Sequence, residues 1–318
     1  MNLFKKISNY LYIFFLVLII VFSEFSTNFV NAKNFVINDV EIQEEYNLNF
    51  DKIKVVDKAF KRAFEILISK ILLSENKDIA KSINTKQIKS FVEGFTLREE
   101  KFVDDNYQAK MSVDFNKKDL IYFLNSKGVT TSSIKPINVV ILPILIDLKK
   151  NQIFSYSNNP FFLNWNFTHK KYHQINYVLP NEDIEDFSII RKNINNVENY
   201  NFNEIFDKYN FKSRILLVLL KQDNQFKVFS KLNLEKSEMY INKNFKDLNL
   251  KNLDQINDII LNLKNDYENK WKLLNKINTS IILPIKLSVD SNNYLLSNNL
   301  ENYLSEVDLI SNYKIENF

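Results

Sequence analysis

No cysteine occurs anywhere in the 318 residues. The chain therefore has no disulfide to staple a small core and must fold by burying apolar surface alone. Its length suffices for that and suggests about two domains. A second scarcity narrows the chemistry. Only two glycines are present, which excludes glycine-rich phosphate loops and the glycine-flanked nucleophile elbow of many hydrolases.

The first residues set an expected compartment. Lys5 and Lys6 precede an unbroken apolar run from Leu11 to Phe22, and a more polar stretch then ends in Val30-Asn31-Ala32. This is the three-part layout of a secretory signal, with small residues where a signal peptidase reads. A spanning helix needs about 20 apolar residues, and Ser23-Glu24 interrupts this run well before that. The expectation is cleavage after Ala32, giving a periplasmic or secreted protein that meets the membrane only through its signal segment. An inner-membrane signal anchor is the alternative. With no cysteine, a lipid anchor at the signal junction is excluded. The formal net charge of +4 makes no electrostatic footprint for nucleic acid on so long a chain.

Periodicity predicts an α+β protein. Phe35 to Gln43 reads as a strand, with Phe35, Ile37, Val40 and Ile42 turned inward. Val56, Phe60, Ala63, Leu67 and Ile71 then recur at helical spacing. A short helix covers Thr85 to Phe91. A hairpin follows, from about Thr96 to Val103 and from Tyr107 to Phe115, turning at Asp104-Asp105-Asn106. Asn116 is placed to cap a helix carrying Leu120, Ile121 and Leu124, which Gly128 would end. Strand, helix, hairpin and helix make one α+β domain over 33–130, after the signal at 1–32. Thr130 to Ser133 reads as a linker.

A second α/β domain with a mixed sheet is expected over 136–318. Ile137 to Ile146 is an apolar run suited to a strand covered on both faces, and Pro143 argues for a shorter strand at an edge or bulge. Residues 148–212 are Asn-rich and weakly patterned, predicting a long loop region with short helices. Arg214 to Lys221 and Gln225 to Leu234 read as two strands. Asn252 and Gln255 resemble a capping box for a long helix striped with Leu253, Ile256, Ile260, Leu263, Tyr267, Trp271 and Leu274. A strand over Thr279 to Val289, a helix near Leu295 to Leu304 and a final strand complete the expectation.

Few residues offer chemistry. His169 and His173 are the only histidines; Lys170 and Lys171 follow the first of them, which disfavours a dication and leaves both as solvated surface groups. Glu182, Asp183, Glu185 and Asp186 cluster after Pro180. Paired carboxylates can act as acid and base or hold calcium, yet acidic residues just ahead of a short helix also serve as caps. Phe161, Phe162, Trp165 and Phe167 form either an exposed binding patch or a buried anchor for the loop region, and the anchor is the expectation.

In this order the segments resemble a bacterial exported family, domain of unknown function two thousand and sixty-six, found in proteobacteria. The likeness runs through Val36-Ile37-Asn38-Asp39-Val40, the helix Ala59 to Phe64, the hairpin with Glu100-Lys101, Tyr107 and Val113-Asp114-Phe115, and Leu142-Pro143. It continues through Asn159-Pro160-Phe161 with Trp165, and Leu179-Pro180 with Asp183 and Asp186. Phe161 stands where the family has Trp, and the helix lacks the family's alanine density. The resemblance implies an exported envelope protein of unassigned activity, with Asn159, Pro160, Phe161, Trp165, Pro180, Asp183 and Asp186 as its motif residues. No cofactor is implied. The expected function is a non-catalytic periplasmic interaction or assembly module whose partner is an envelope protein. The alternative is an envelope hydrolase or glycan-active enzyme using Asp183 and Asp186.

Overall fold

A computed structural model describes residues 34–167 and 172–277, together with 286, 287, 296, 298–300, 303 and 304. The signal segment, His169 and the expected final strand lie outside the described residues, as does all but 286 and 287 of the expected strand 279–289. The described positions of the expected helix 295–304 are helical. The described residues from Val36 to Ile277 belong to one compact unit.

Its first half is built as the alternation predicts. In β1 (Asn34–Glu45) the buried side chains are Phe35, Ile37, Val40 and Ile42. The step from Ile37 to Val40 breaks strict alternation where Asp39 adopts φ 55°. Helix α1 (Lys52–Ile71) starts at Asp51, whose carboxylate accepts from Ile53 N at 2.9 Å, and buries Ala59, Phe60, Ala63, Phe64 and Leu67. Two short helices follow, α2 (Ile79–Ser82) and α3 (Thr85–Ser90). Strands β2 (Val92–Val103) and β3 (Asn106–Asn116) then form an antiparallel hairpin, and the sheet order is β1-β3-β2. The hairpin turns on Asp104 and Asp105, both left-handed at φ 47° and 56°, the conformation of a two-residue type I′ turn. Phe64 lies 6.0 Å from Phe115 and Phe60 5.3 Å from Phe95, ring to ring, so α1 covers one face of this sheet. Asn116 caps α4 (Lys117–Ser126) by accepting from Asp119 N, and Gly128 at φ 73° follows the helix end, as expected.

The second half is a mixed six-stranded sheet. Its elements are β4 (Ile137–Asp147), β5 (Gln152–Phe154), α5 (Pro160–Asn164), β6 (Ile175–Val178), α6 (Ile184–Lys192), α7 (Asn203–Phe206), β7 (Arg214–Gln222), β8 (Gln225–Leu234), β9 (Ser237–Lys246) and α8 (Leu253–Leu274). The order is β5-β4-β7-β8-β9, with β6 also paired to β4. Strand β4 runs parallel to β6 and β7, and the remaining pairs are antiparallel. Successive side chains of a strand point to opposite faces. Val139, Ile141 and Leu145 therefore pack with Ile256, Ile260, Leu263 and Tyr267 of α8. Val140, Leu142, Ile144 and Ile146 pack with Ile190 of α6 and Ile205 of α7. Helices on both faces explain why β4 is apolar throughout. No helix among the described residues is long and apolar enough to cross a membrane.

Four expectations are corrected. The strand around Pro143 is not shortened: β4 continues through it, paired with β7 from Val140 to Asp147. The two backbone groups of one strand residue point to the same edge. On the edge away from β7, β6 covers residues 137–140 and β5 covers 145–147, so Pro143 sits in the gap where no strand asks for its missing N–H. Strand β9 was not anticipated, although Met239, Ile241 and Phe245 pack against the core at period two. Leu253 and Leu274, expected on the buried stripe of α8, are exposed, while Lys264, Glu268 and Lys272 are buried in it. The reciprocal arm of the capping box is also different. Asn252 accepts from Asp254 N and Gln255 N, but Gln255 Oε1 accepts from Asn249 N.

The stretch read as a linker is buried at Thr131 and Ser132. Ser132 donates to Ile71 O from both N (2.9 Å) and Oγ (3.0 Å), and Ile277 N donates to Thr131 O at 2.9 Å. The last carbonyls of a helix have no partner within it. At the end of α1, Ser69 O and Leu72 O accept from Lys272 Nζ, Lys70 O from Gln174 Nε2, and Ile71 O from Ser132.

Candidate functional site

The Asn-rich region 148–212 holds the expected short helices together with β5 and β6, and the expected motif residues sit at α5 and at the start of α6. Asn159 is fully buried. Its Oδ1 accepts from Phe161 N at 3.0 Å, which caps α5, and its Nδ2 donates to Pro143 O at 3.1 Å. One amide thus starts a helix and fills the gap beside Pro143. Pro160 takes the first helical position, where its missing N–H costs nothing. Phe161 and Trp165 have no exposed surface. Phe161 stacks on Phe226 of β8 at 5.6 Å, and Trp165 meets Tyr177 edge-on at 5.5 Å and Tyr267 at 6.2 Å. Phe162 is half-buried and Phe167 exposed. The anchor alternative therefore describes Phe161 and Trp165 but not Phe167.

Pro180 is buried after β6, and the acidic box opens α6. Asp183 is the N-cap, accepting from Glu185 N at 2.8 Å. Asp186, three residues later, turns inward and is 1% exposed. Both carboxylates are claimed. Lys208 Nζ lies 2.8 Å from Asp183 Oδ2 and 2.7 Å from Asp186 Oδ1, and Tyr156 OH donates to Asp186 Oδ2 at 3.3 Å. The hydrogen bond from Lys208 holds the Asp183 carboxyl below the usual carboxylate range, and the two carboxylates raise the Lys208 ammonium. Burial, followed by the Asp186 charge, raises the Tyr156 phenol. A cation at this place would have to displace Lys208. The arrangement ties α6 to the segment after α7 and to the turn at 156. Among the described residues no group of three or more His, Asp or Glu is placed to hold a metal ion.

A buried charged stripe on α8 escaped the sequence reading. Lys264 Nζ donates to Trp165 O and lies 5.4 and 5.2 Å from the Trp165 and Tyr177 ring centres. Glu268 Oε1 accepts from Ile175 N at 2.7 Å, while Oε2 is buried with no hydrogen-bond partner among the described residues. Lys272 donates to Ser69 O and Leu72 O at 2.6 and 2.8 Å. Burial pulls the two lysines down to about 8 and pushes the Glu268 carboxyl up. Each group serves a backbone atom of another segment, so the stripe joins elements that are distant in sequence. At i, i+4 and i+8 these charges carry the pattern of a solvated face, and nothing local marks them as buried. His173, expected as a solvated surface group, is half-buried just ahead of β6.

No protein-family model matches the chain, and no curated protein matches it.

Proposed function

We propose that the chain is an exported, non-catalytic envelope protein that acts by binding another envelope protein. The observation that supports this is the condition of the acidic box. Asp183 and Asp186 are the carboxylate pair the sequence offers for hydrolysis, and their oxygens are engaged by Lys208, Tyr156 and the α6 backbone. A general acid or base needs a carboxyl oxygen within reach of substrate, and Asp186 is buried. The export part of the reading rests on the N-terminal layout from Lys5 to Ala32.

Crosslinking in intact cells followed by recovery of the protein from the envelope tests the binding role. A specific protein partner is expected; recovery of bound glycan alone would favour the enzymatic alternative. N-terminal sequencing of the envelope fraction should begin at Lys33. Full-length chain in the membrane pellet would replace the signal by an anchor.

A further inference from the structure

At one end of the first sheet, apolar side chains gather that the fold does not cover. Leu48 in the loop after β1 is fully exposed, Ile53 in the first turn of α1 is 70% exposed, Phe102 at the hairpin tip 58%, and Tyr46 50%. These belong to one built structure. Tyr46 N donates to Asp105 O at 2.7 Å, which pins the loop onto the hairpin turn. The rings of Tyr46 and Phe102 are 4.9 Å apart, and Phe50 and Tyr107 complete a chain of ring contacts at 5.0, 5.0 and 5.2 Å. Lys52 at the start of α1 closes the edge through a 2.6 Å ion pair with Glu100. Single exposed apolar residues are ordinary, but a gathered aromatic and aliphatic tip held in place by its neighbours marks an interaction surface.

The border of this tip is acidic. Glu45, Asp104 and Asp105 are exposed and form no ion pair among the described residues, whereas of the flanking lysines Lys52 is occupied by Glu100 and Lys101 lies 3.9 Å from Glu99, leaving Lys54 against three carboxylates. An anionic rim is repelled by an anionic lipid surface and by the same rim on a second copy, and it complements a cationic one. We infer that the tip formed by Tyr46, Leu48 and Phe102 is the docking surface for a cationic amphipathic segment of another protein, its aliphatic side chains on the rings and its Lys or Arg side chains on the acidic rim. This deepens the binding role proposed above and rests on it.

The test titrates the mature chain beginning at Lys33 with a synthetic Leu/Lys amphipathic peptide, with a Leu/Glu peptide of the same pattern, and with vesicles of phosphatidylethanolamine and phosphatidylglycerol. The Leu/Lys peptide should bind, at least tenfold more weakly after Leu48→Ser or Phe102→Ser, and more weakly again when Asp104 and Asp105 are both changed to Asn. Circular dichroism and the melting temperature of Leu48→Ser should match wild type, since the Leu48 side chain is fully exposed. Equal binding of the two peptides, binding to the vesicles, or a dimer that Leu48→Ser dissolves would each overturn the inference. So would an envelope crosslinking partner retained in full by Leu48→Ser, which would leave the general binding role standing. Absence of any protein partner would remove that role itself.

Discussion

Replacing Asn159 by alanine separates a structural motif from a binding one. The side chain makes two hydrogen bonds in a fully buried position, one to Phe161 N and one to Pro143 O. Losing an N-cap costs about 0.5–2 kcal/mol, and a buried carbonyl left without a donor costs about 1–3 kcal/mol. No strand covers Pro143 on that edge, so no neighbour replaces the lost donor, and the sum is about 3 kcal/mol. With a urea m-value of about 3 kcal/mol/M, the unfolding midpoint should fall by roughly 1 M. Asn159→Asp distinguishes the two bonds. Aspartate still accepts from Phe161 N, but its carboxylate faces Pro143 O and cannot donate. Burial against a carbonyl raises the folded pKa of the new carboxyl above its unfolded value. Its protonated form can donate, so this variant is most stable in acid and loses stability as pH rises through the folded value. Alanine lacks that dependence. An alanine variant within about 0.5 kcal/mol of wild type, the level of an inconsequential surface change, would refute the account of the gap. An aspartate variant as stable as wild type at neutral pH would refute the donor assignment.

Trp165→Ala should destabilise the protein by about 3–5 kcal/mol, the usual cost of emptying a large aromatic site, and urea unfolding with an unchanged midpoint would reject the anchor. Lys208→Met should lower the urea midpoint, because it leaves the buried Asp186, 1% exposed, without its cation. The Asp183 carboxyl sits below its unfolded value chiefly through Lys208. Its contribution is therefore present above the unfolded pKa of about 3.9 and lost as pH falls through the folded one, and acid titration of Lys208→Met should show a shallower slope, the part left by the cap bond from Glu185 N. Adding calcium should leave the melting temperature of wild type unchanged, since ligand binding to the folded state would raise it. Lys264 and Lys272, lowered to about 8, bind fewer protons folded than unfolded above that pH. Stability should thus rise from about pH 8 toward the ordinary lysine value of about 10.4, and the double change to methionine should flatten the rise in urea titrations at pH 7.5 and 9.5, the values proposed for the assay.

Where a residue's role is local, the sequence declared it. Asn116 and Gly128 bracket α4, Asp104 and Asp105 turn the hairpin, and Asp183 caps α6, because caps and turns depend on neighbours a few residues away. The gathered aromatics at 161 and 165 also announced their burial, since a polar stretch must be pinned by whatever apolar density it holds. Lys208 could not be found this way. It lies 22 residues beyond Asp186, and only the return of the chain after α7 brings the two together. Pro143 misled for a related reason: a proline rule written for whole strands fails where one edge is shared by two short neighbours. The signal in β9 was readable at Met239, Ile241 and Phe245, but Asn242, Lys243 and Asn244 between them gave it the look of the surrounding loops.

The borrowed partners of the α1 terminus have a consequence for how the molecule is made. A ribosome releases the chain from its N-terminus, so α1 and the first sheet emerge while Lys272, 203 residues beyond Ser69, is still unmade. Until it arrives, the carbonyls of Ser69 and Leu72 must be served by water, and the last turn of α1 frays. Ser132 and Gln174 arrive first, satisfying Ile71 O and then Lys70 O. The nascent helix thus tightens in stages, and its final turn is secured only when α8 folds across it. A nascent chain stalled after β9 would carry every described strand of both sheets and still expose the segment behind Ile71 to any protease it met.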